Sequence, residues 1–120
     1  MKVIIAGGRD FDNYEMLSNT MKNLNIIVSE VVCGGANGAD LLGKEWAERN
    51  GIPVKMFPAD WDQYGKSAGF IRNHEMGEYA DFLVAFWDGK SSGTHNMITT
   101  MKQLKKHGKV VCYSKDNGGW

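Results

Sequence analysis

Five short runs rich in β-branched and aromatic residues alternate along the chain with stretches that carry apolar residues at helical spacing, and this alternation limits the fold more than any other feature. The first run, Val3 to Ala6, is apolar at every position and stops at Gly7-Gly8. A strand without polar alternation is covered on both faces, as in a parallel sheet flanked by helices. Further strands are expected over about Val28 to Cys33, Val54 to Phe57, Phe82 to Phe86 and Val110 to Tyr113. Between them, Tyr14, Leu17, Met21 and Leu24 form one helical stripe, with Asp12 or Asn13 as its cap. Ala39, Leu42 and Trp46 form a second stripe, in a helix that runs from Gly38 to Asn50 and stops at Gly51-Ile52-Pro53. A third helix is expected over 70–80, and Met97, Met101 and Leu104 mark a fourth whose last turn carries Lys105, Lys106 and His107.

Parallel strands joined by right-handed crossovers give a doubly wound α/β sheet, with simplest strand order 3-2-1-4-5 and helices on both faces. The segment from Pro58 to Gly69 has turn formers and no sustained period, so it is expected to be the longest loop. One domain is expected through residue 113, followed by a flexible tail over 114–120 in which Trp120 is free to dock on a neighbour.

Ligands in such sheets sit beyond the strand C-termini, at the point where the strand order reverses. That geometry would gather the loops GGRD, CGGANGAD and WDGKSSGT along one edge. Glycine-rich turns running into helix N-termini can present backbone N–H groups to an anion. The expected ligand-binding set is therefore Gly7, Gly8, Arg9 and Asp10 from the first loop, Gly34, Gly35, Asn37, Gly38 and Asp40 from the second, and Asp88, Ser92, Gly93 and Thr94 from the third. Arg72 joins them as a second guanidinium suited to phosphate, although pairing with Glu75 one turn later is its ordinary structural account. Asp40 suits ribose hydroxyls or the capping of neighbouring amides equally well. Trp61 and Tyr64 can stack on a base or simply fill their own loop.

Several classes of function are disfavoured. Fourteen basic and fourteen acidic side chains leave no net positive charge for tracking a phosphate backbone, so no nucleic acid polymer is expected as partner. Gly34-Gly35-Ala36-Asn37-Gly38 lacks the dinucleotide-binding spacing and has no trailing G-K-[ST]. Cys33 and Cys112 lie far apart in apolar runs, and the three histidines have no metal-ligand spacing, so reduced thiols, no metal and no cofactor are expected. The first apolar run is too short for a signal peptide or a membrane span, which points to a cytoplasmic protein without membrane contact.

The segments VIIAGGRDF, VVCGGANGADLLGKEWAERNGIPVKMFPADWDQYGKSAGFIRNHEM and YADFLVAFWDGKSSGTHNMI resemble the YspA-like, YpsA-related branch of the SLOG superfamily, which includes the Lonely Guy phosphoribohydrolases. The resemblance covers about residues 3 to 113. It implies a Rossmann-like domain that binds a nucleotide or nucleotide-derived small molecule, in some members as part of nucleotide signalling, and a homodimer or higher homo-oligomer. Gly34, Gly35 and Gly38 resemble the glycine-rich loop of the enzymatic relatives, Arg72 with Met76 their arginine and methionine, and Gly93-Thr94 part of their P-G-G-x-G-T-x-x-E signature. Their glutamate position falls on Met97, whose thioether moves no proton. The resemblance therefore implies binding of a phosphorylated nucleoside or an ADP-ribose-like molecule. The alternative is N-ribosyl hydrolysis with Asp40, Arg72 and His95 as catalytic candidates and Asp88 as a further acid or base. A third possibility, a protein-interaction module, would use Trp61, Tyr64 and Trp120.

Overall fold

In a computed structural model of the chain, residues 1–113 are described. The tail over 114–120, with Trp120, lies outside them. Strand β1 (Lys2–Gly7) sits at the centre of a five-stranded parallel sheet, hydrogen-bonded to β2 (Glu30–Cys33) on one side and to β4 (Phe82–Trp87) on the other. Strand β3 (Val54–Met56) pairs with β2 and β5 (His107–Cys112) with β4, giving the order 3-2-1-4-5.

The apolar run of β1 divides between the two faces because successive side chains point in opposite directions. Val3 and Ile5 join Leu17 and Met21 of α1 (Tyr14–Asn23) and Ala39, Trp46 and Ala47 of α2 (Ala39–Arg49) in one core. Ile4 and Ala6 face Met76 and Ala80 together with Met97, Ile98 and Met101 in the other, beneath α4 (Ala68–Tyr79) and α5 (Ser92–Gln103). Val3, Ile4 and Ile5 have no exposed surface at all, which accounts for the absence of polar alternation. Of the two caps expected for α1, Asn13 serves: its Oδ1 accepts from the Met16 amide at 2.9 Å. Both cysteines are free thiols, and burial pushes the Cys33 thiol up to about 11.

Two expectations fail for local reasons. Pro58 to Gly69 is not one long loop, since it holds the short helix α3 (Trp61–Tyr64), capped by Asp60, and a 3-10 turn (Gly65–Ser67) that leads into α4 at Ala68. One helical turn is too short to leave a periodic stripe in sequence. At the other end, Lys105, Lys106 and His107 do not belong to the last turn of α5, which ends at Gln103. His107 instead opens β5, opposite Phe82. Lys106 caps a different helix: its Nζ donates to the carbonyls of Gly77, Glu78 and Ala80 at 2.7, 3.0 and 2.6 Å, at the C-terminus of α4. An ammonium there satisfies carbonyls without helical partners and complements the negative end of the dipole.

Replacing this lysine with an isosteric apolar chain, Lys106→Met, is expected to destabilise the fold by about 1–3 kcal/mol, the usual cost of losing charge-assisted hydrogen bonds. Chemical denaturation measures this directly, with Lys105→Met, an exposed neighbour, as the control expected to stay near the wild type.

Candidate functional site

At the C-terminal ends of β1 and β4 the strand order reverses, and the three glycine-bearing loops meet there. The Gly8 amide donates to the Phe86 carbonyl at 3.0 Å, tying the first loop to β4, and the Gly8 carbonyl accepts from the Ala39 amide at 3.2 Å, tying it to α2. Gly38 has φ +77, and a Cβ on it would lie 2.2 Å from the Gly8 carbonyl oxygen. Only glycine allows so close a crossing of two backbones. A Cβ at Gly34 would lie 2.2 Å from Arg72 Nη1, the far end of a side chain that can shift, so that position is less confined than Gly38. Gly38 therefore serves a contact within the protein rather than approach to a ligand.

A cavity of about 600 Å³ opens between the loops. The structure brings ten of the expected residues to its wall: Gly7, Gly8, Arg9 and Asp10, then Asp40 and Arg72, then Asp88, Ser92, Gly93 and Thr94. Gly34, Gly35 and Asn37 line an adjoining cavity of about 500 Å³ instead, while Gly38 lies in the junction between loops. His95 lines neither: it is exposed, with its ring 5.7 Å from that of Trp87.

The second loop does not present all its amides to the cavity. Asp40 is buried, and its Oδ2 accepts from the Gly34 amide at 3.1 Å and the Ala36 amide at 3.3 Å. The carboxylate thus closes the loop that it follows, which is the capping account of this residue. Burial pushes its carboxyl up to about 6 from an ordinary 3.8, against the lowering influence of the Ala36 amide, the Arg72 guanidinium and the Gly34 amide. Asp10 is also engaged, as acceptor of the Tyr113 hydroxyl at 2.5 Å.

The third loop keeps its donors open. Asp88 Oδ1 accepts from the Lys90 and Ser91 amides at 2.8 and 2.7 Å, which holds its carboxyl below the usual range and shapes the turn into α5. Beyond that turn, the amides of Ser92, Gly93 and Thr94 have no acceptor among the described residues. A Cβ at Gly93 would meet open space, so the first turn of α5 is unobstructed.

Arg72 does not pair with Glu75. Its Nη1 donates to the Gly34 carbonyl at 2.7 Å and more weakly to the Phe57 carbonyl at 3.4 Å, and its Nε donates to Asn73 Oδ1 at 3.1 Å. All three acceptors are neutral, and Arg9 makes no hydrogen bond or ion pair among the described residues. Both guanidinium charges therefore stand at the cavity wall without a carboxylate of the described residues within ion-pair distance. Lys66 and Asn73 were not expected at the site. Asn73, buried in α4, donates to the Gly93 carbonyl at 3.2 Å and to Asn96 Oδ1 at 3.0 Å, which fixes the start of α5 relative to Arg72. A polar residue on the core-facing side of a helix was the available signal for it; Lys66, exposed on the 3-10 turn, left none.

The parallel sheet, its reversal point and the loop-lined crevice define a Rossmann-like α/β domain. Residues 1–64 match the YspA, cpYpsA-related SLOG family (YAcAr), and the chain belongs to that family. It is 39% identical over 84 residues to the gene 61 protein of Mycobacterium phage D29, a match that spans 65% of this chain and 65% of the phage protein. DNA processing protein A from Streptococcus pneumoniae has a similar fold, with a TM-score of 0.78 at 15% sequence identity, covering 98% of this chain and 52% of that one. No helix among the described residues is long and apolar enough to cross a membrane.

The raised Asp40 pKa has a definite sign. The native state holds this proton more tightly than the unfolded chain, so the stability it contributes is complete below about pH 4 and is lost as pH rises to about 6. Asp40→Asn keeps an oxygen for both amides and carries no charge, so its melting temperature should exceed the wild-type value at pH 7, by the equivalent of about 2–3 kcal/mol, and converge with it near pH 4. Asp40→Ala leaves both amides unpaired and should fall below Asp40→Asn by about 1–3 kcal/mol at either pH.

Proposed function

We propose that this crevice binds a phosphorylated nucleoside or an ADP-ribose-like small molecule, in a role of sensing or sequestering. The observation that carries the reading is the meeting, at one cavity, of two arginines without carboxylate partners and three helix-N-terminal amides without acceptors among the described residues. An anion there gains charge-assisted hydrogen bonds and the positive end of the α5 dipole. Ser92 and Thr94 add hydroxyls to the same wall. Asp10, with one oxygen bound to Tyr113, keeps acceptor capacity for a sugar hydroxyl, and Asp40 lies at the same wall. A cavity of about 600 Å³ is suited to a small molecule rather than to a polymer.

A second reading, N-ribosyl hydrolysis, is favoured by one feature: Asp40 reaches the cavity with its carboxyl near 6, the range in which a carboxyl exchanges a proton at neutral pH. Met97 is buried at the same wall and supplies no proton. Release of free base from a nucleoside monophosphate, abolished in Asp40→Asn, would support this reading over simple binding.

Isothermal titration with inorganic diphosphate, nucleoside phosphates and ADP-ribose tests the binding proposal. Arg9→Ala, at an exposed residue without hydrogen-bond or ion-pair partners among the described residues, is expected to weaken binding about tenfold while leaving the melting temperature unchanged, since a charged hydrogen bond contributes about 1.5–3 kcal/mol. An absence of heat with every compound overturns the proposal.

A further inference from the structure

The two cavities share Arg9, Ala36, Trp61 and Arg72, so the arginines stand at the junction of one bipartite groove. The lobes differ in kind. The first is lined by three carboxylates and the hydroxyls of Ser91, Ser92 and Thr94, whereas the second has neither acid nor hydroxyl in its lining. Met56, Pro58, Ala59 and Trp61 form its apolar surfaces, and Asn37 with the Gly35 backbone forms its polar edge, the Gly34 and Ala36 amides being taken by Asp40. Met56 and Trp61 are 38% and 55% exposed, large apolar surfaces left uncovered at the mouth of a cavity of about 500 Å³.

A group that is flat and apolar on its faces and polar around its rim matches that lining. Indole and thioether surfaces stack on any base without selecting its identity, and a carboxamide can pair with a base edge. We propose that the second lobe is the nucleobase subsite of the ligand whose phosphate occupies the first, the sugar passing beside Arg9 and Arg72. This rests on the phosphate-binding reading above. It assigns the base of that ligand to the surfaces of Met56, Pro58, Ala59 and Trp61, so that a bare sugar phosphate, which leaves them uncovered, binds more weakly.

The test compares four nucleoside monophosphates with ribose phosphate by titration into the full chain. At least one nucleotide should bind about tenfold more tightly than ribose phosphate, the margin that one stacked base provides. Ala59→Trp, which fills the second lobe, should erase that margin and leave ribose phosphate binding as it was. Gly93→Asp, which sets a carboxylate on the open first turn of α5, should abolish both. Photolabelling of the unaltered chain with azido-adenosine monophosphate offers a second decision, independent of how Ala59→Trp folds: label on the peptide carrying Met56 to Trp61 supports the subsite, and label confined elsewhere overturns it. A nucleotide that binds no more tightly than ribose phosphate, or a margin that survives in well-folded Ala59→Trp, also overturns the subsite while leaving the phosphate reading in place. If neither nucleotides nor ribose phosphate bind, the phosphate reading falls and the subsite with it.

Discussion

The crossing of two backbones at Gly38 and the Gly8 carbonyl is the contact on which the site depends. The carbonyl accepts from the amides of Phe11 and Ala39, so one oxygen joins the loop after β1 to the start of α2. With a Cβ at residue 38 the loops would have to separate, because the clash is with backbone on both sides: the Gly8 oxygen at 2.2 Å and the Arg9 carbonyl carbon at 2.6 Å. Backbone cannot swing aside as a long side chain can. Arg9 therefore stands at the crevice through a constraint set by a glycine in another loop.

The same economy of partners divides the two glycine-rich loops. In the loop after β2, the carboxylate of Asp40 and the guanidinium of Arg72 take up the Gly34 and Ala36 amides and the Gly34 carbonyl, so the loop is closed by its own protein. In the loop after β4, Asp88 satisfies only the amides that precede α5 and leaves those of its first turn open. One loop has become a brace and the other retains donors. Asn73 links them mechanically, since it accepts from Arg72 and donates to the Gly93 carbonyl, so the cationic side and the amide side of the cavity are held at a set distance.

Much of the architecture was legible because it follows from periodicity. The unbroken apolar run in β1, the buried Leu17, Met21, Trp46, Met97 and Met101, and the glycine stops all express burial that each segment needs irrespective of its neighbours. The misreadings fell where the signal was shorter than one period or the partner was remote. Helix α3 is a single turn, and Lys106 caps the end of α4, about 26 to 29 residues away in sequence, rather than the helix it follows. His95 shows the same limit from the other side. It was a candidate acid or base for the hydrolytic alternative, but the helical rotation that separates it from Thr94 carries it away from the cavity.

Taken alone, the order of residues determined the strand and helix alternation, hence a parallel sheet with its reversal between β1 and β4, and the three loops that must gather there. Those are consequences of local propensity and of the handedness of crossovers, which act within a segment or between successive ones. Only the tertiary structure decided which polar groups remain unpaired. Whether an amide at Gly34 or Gly93 faces a ligand or a protein carboxylate depends on which side chain the folded chain brings within hydrogen-bond reach, and that distance is not written in the spacing of residues along the chain.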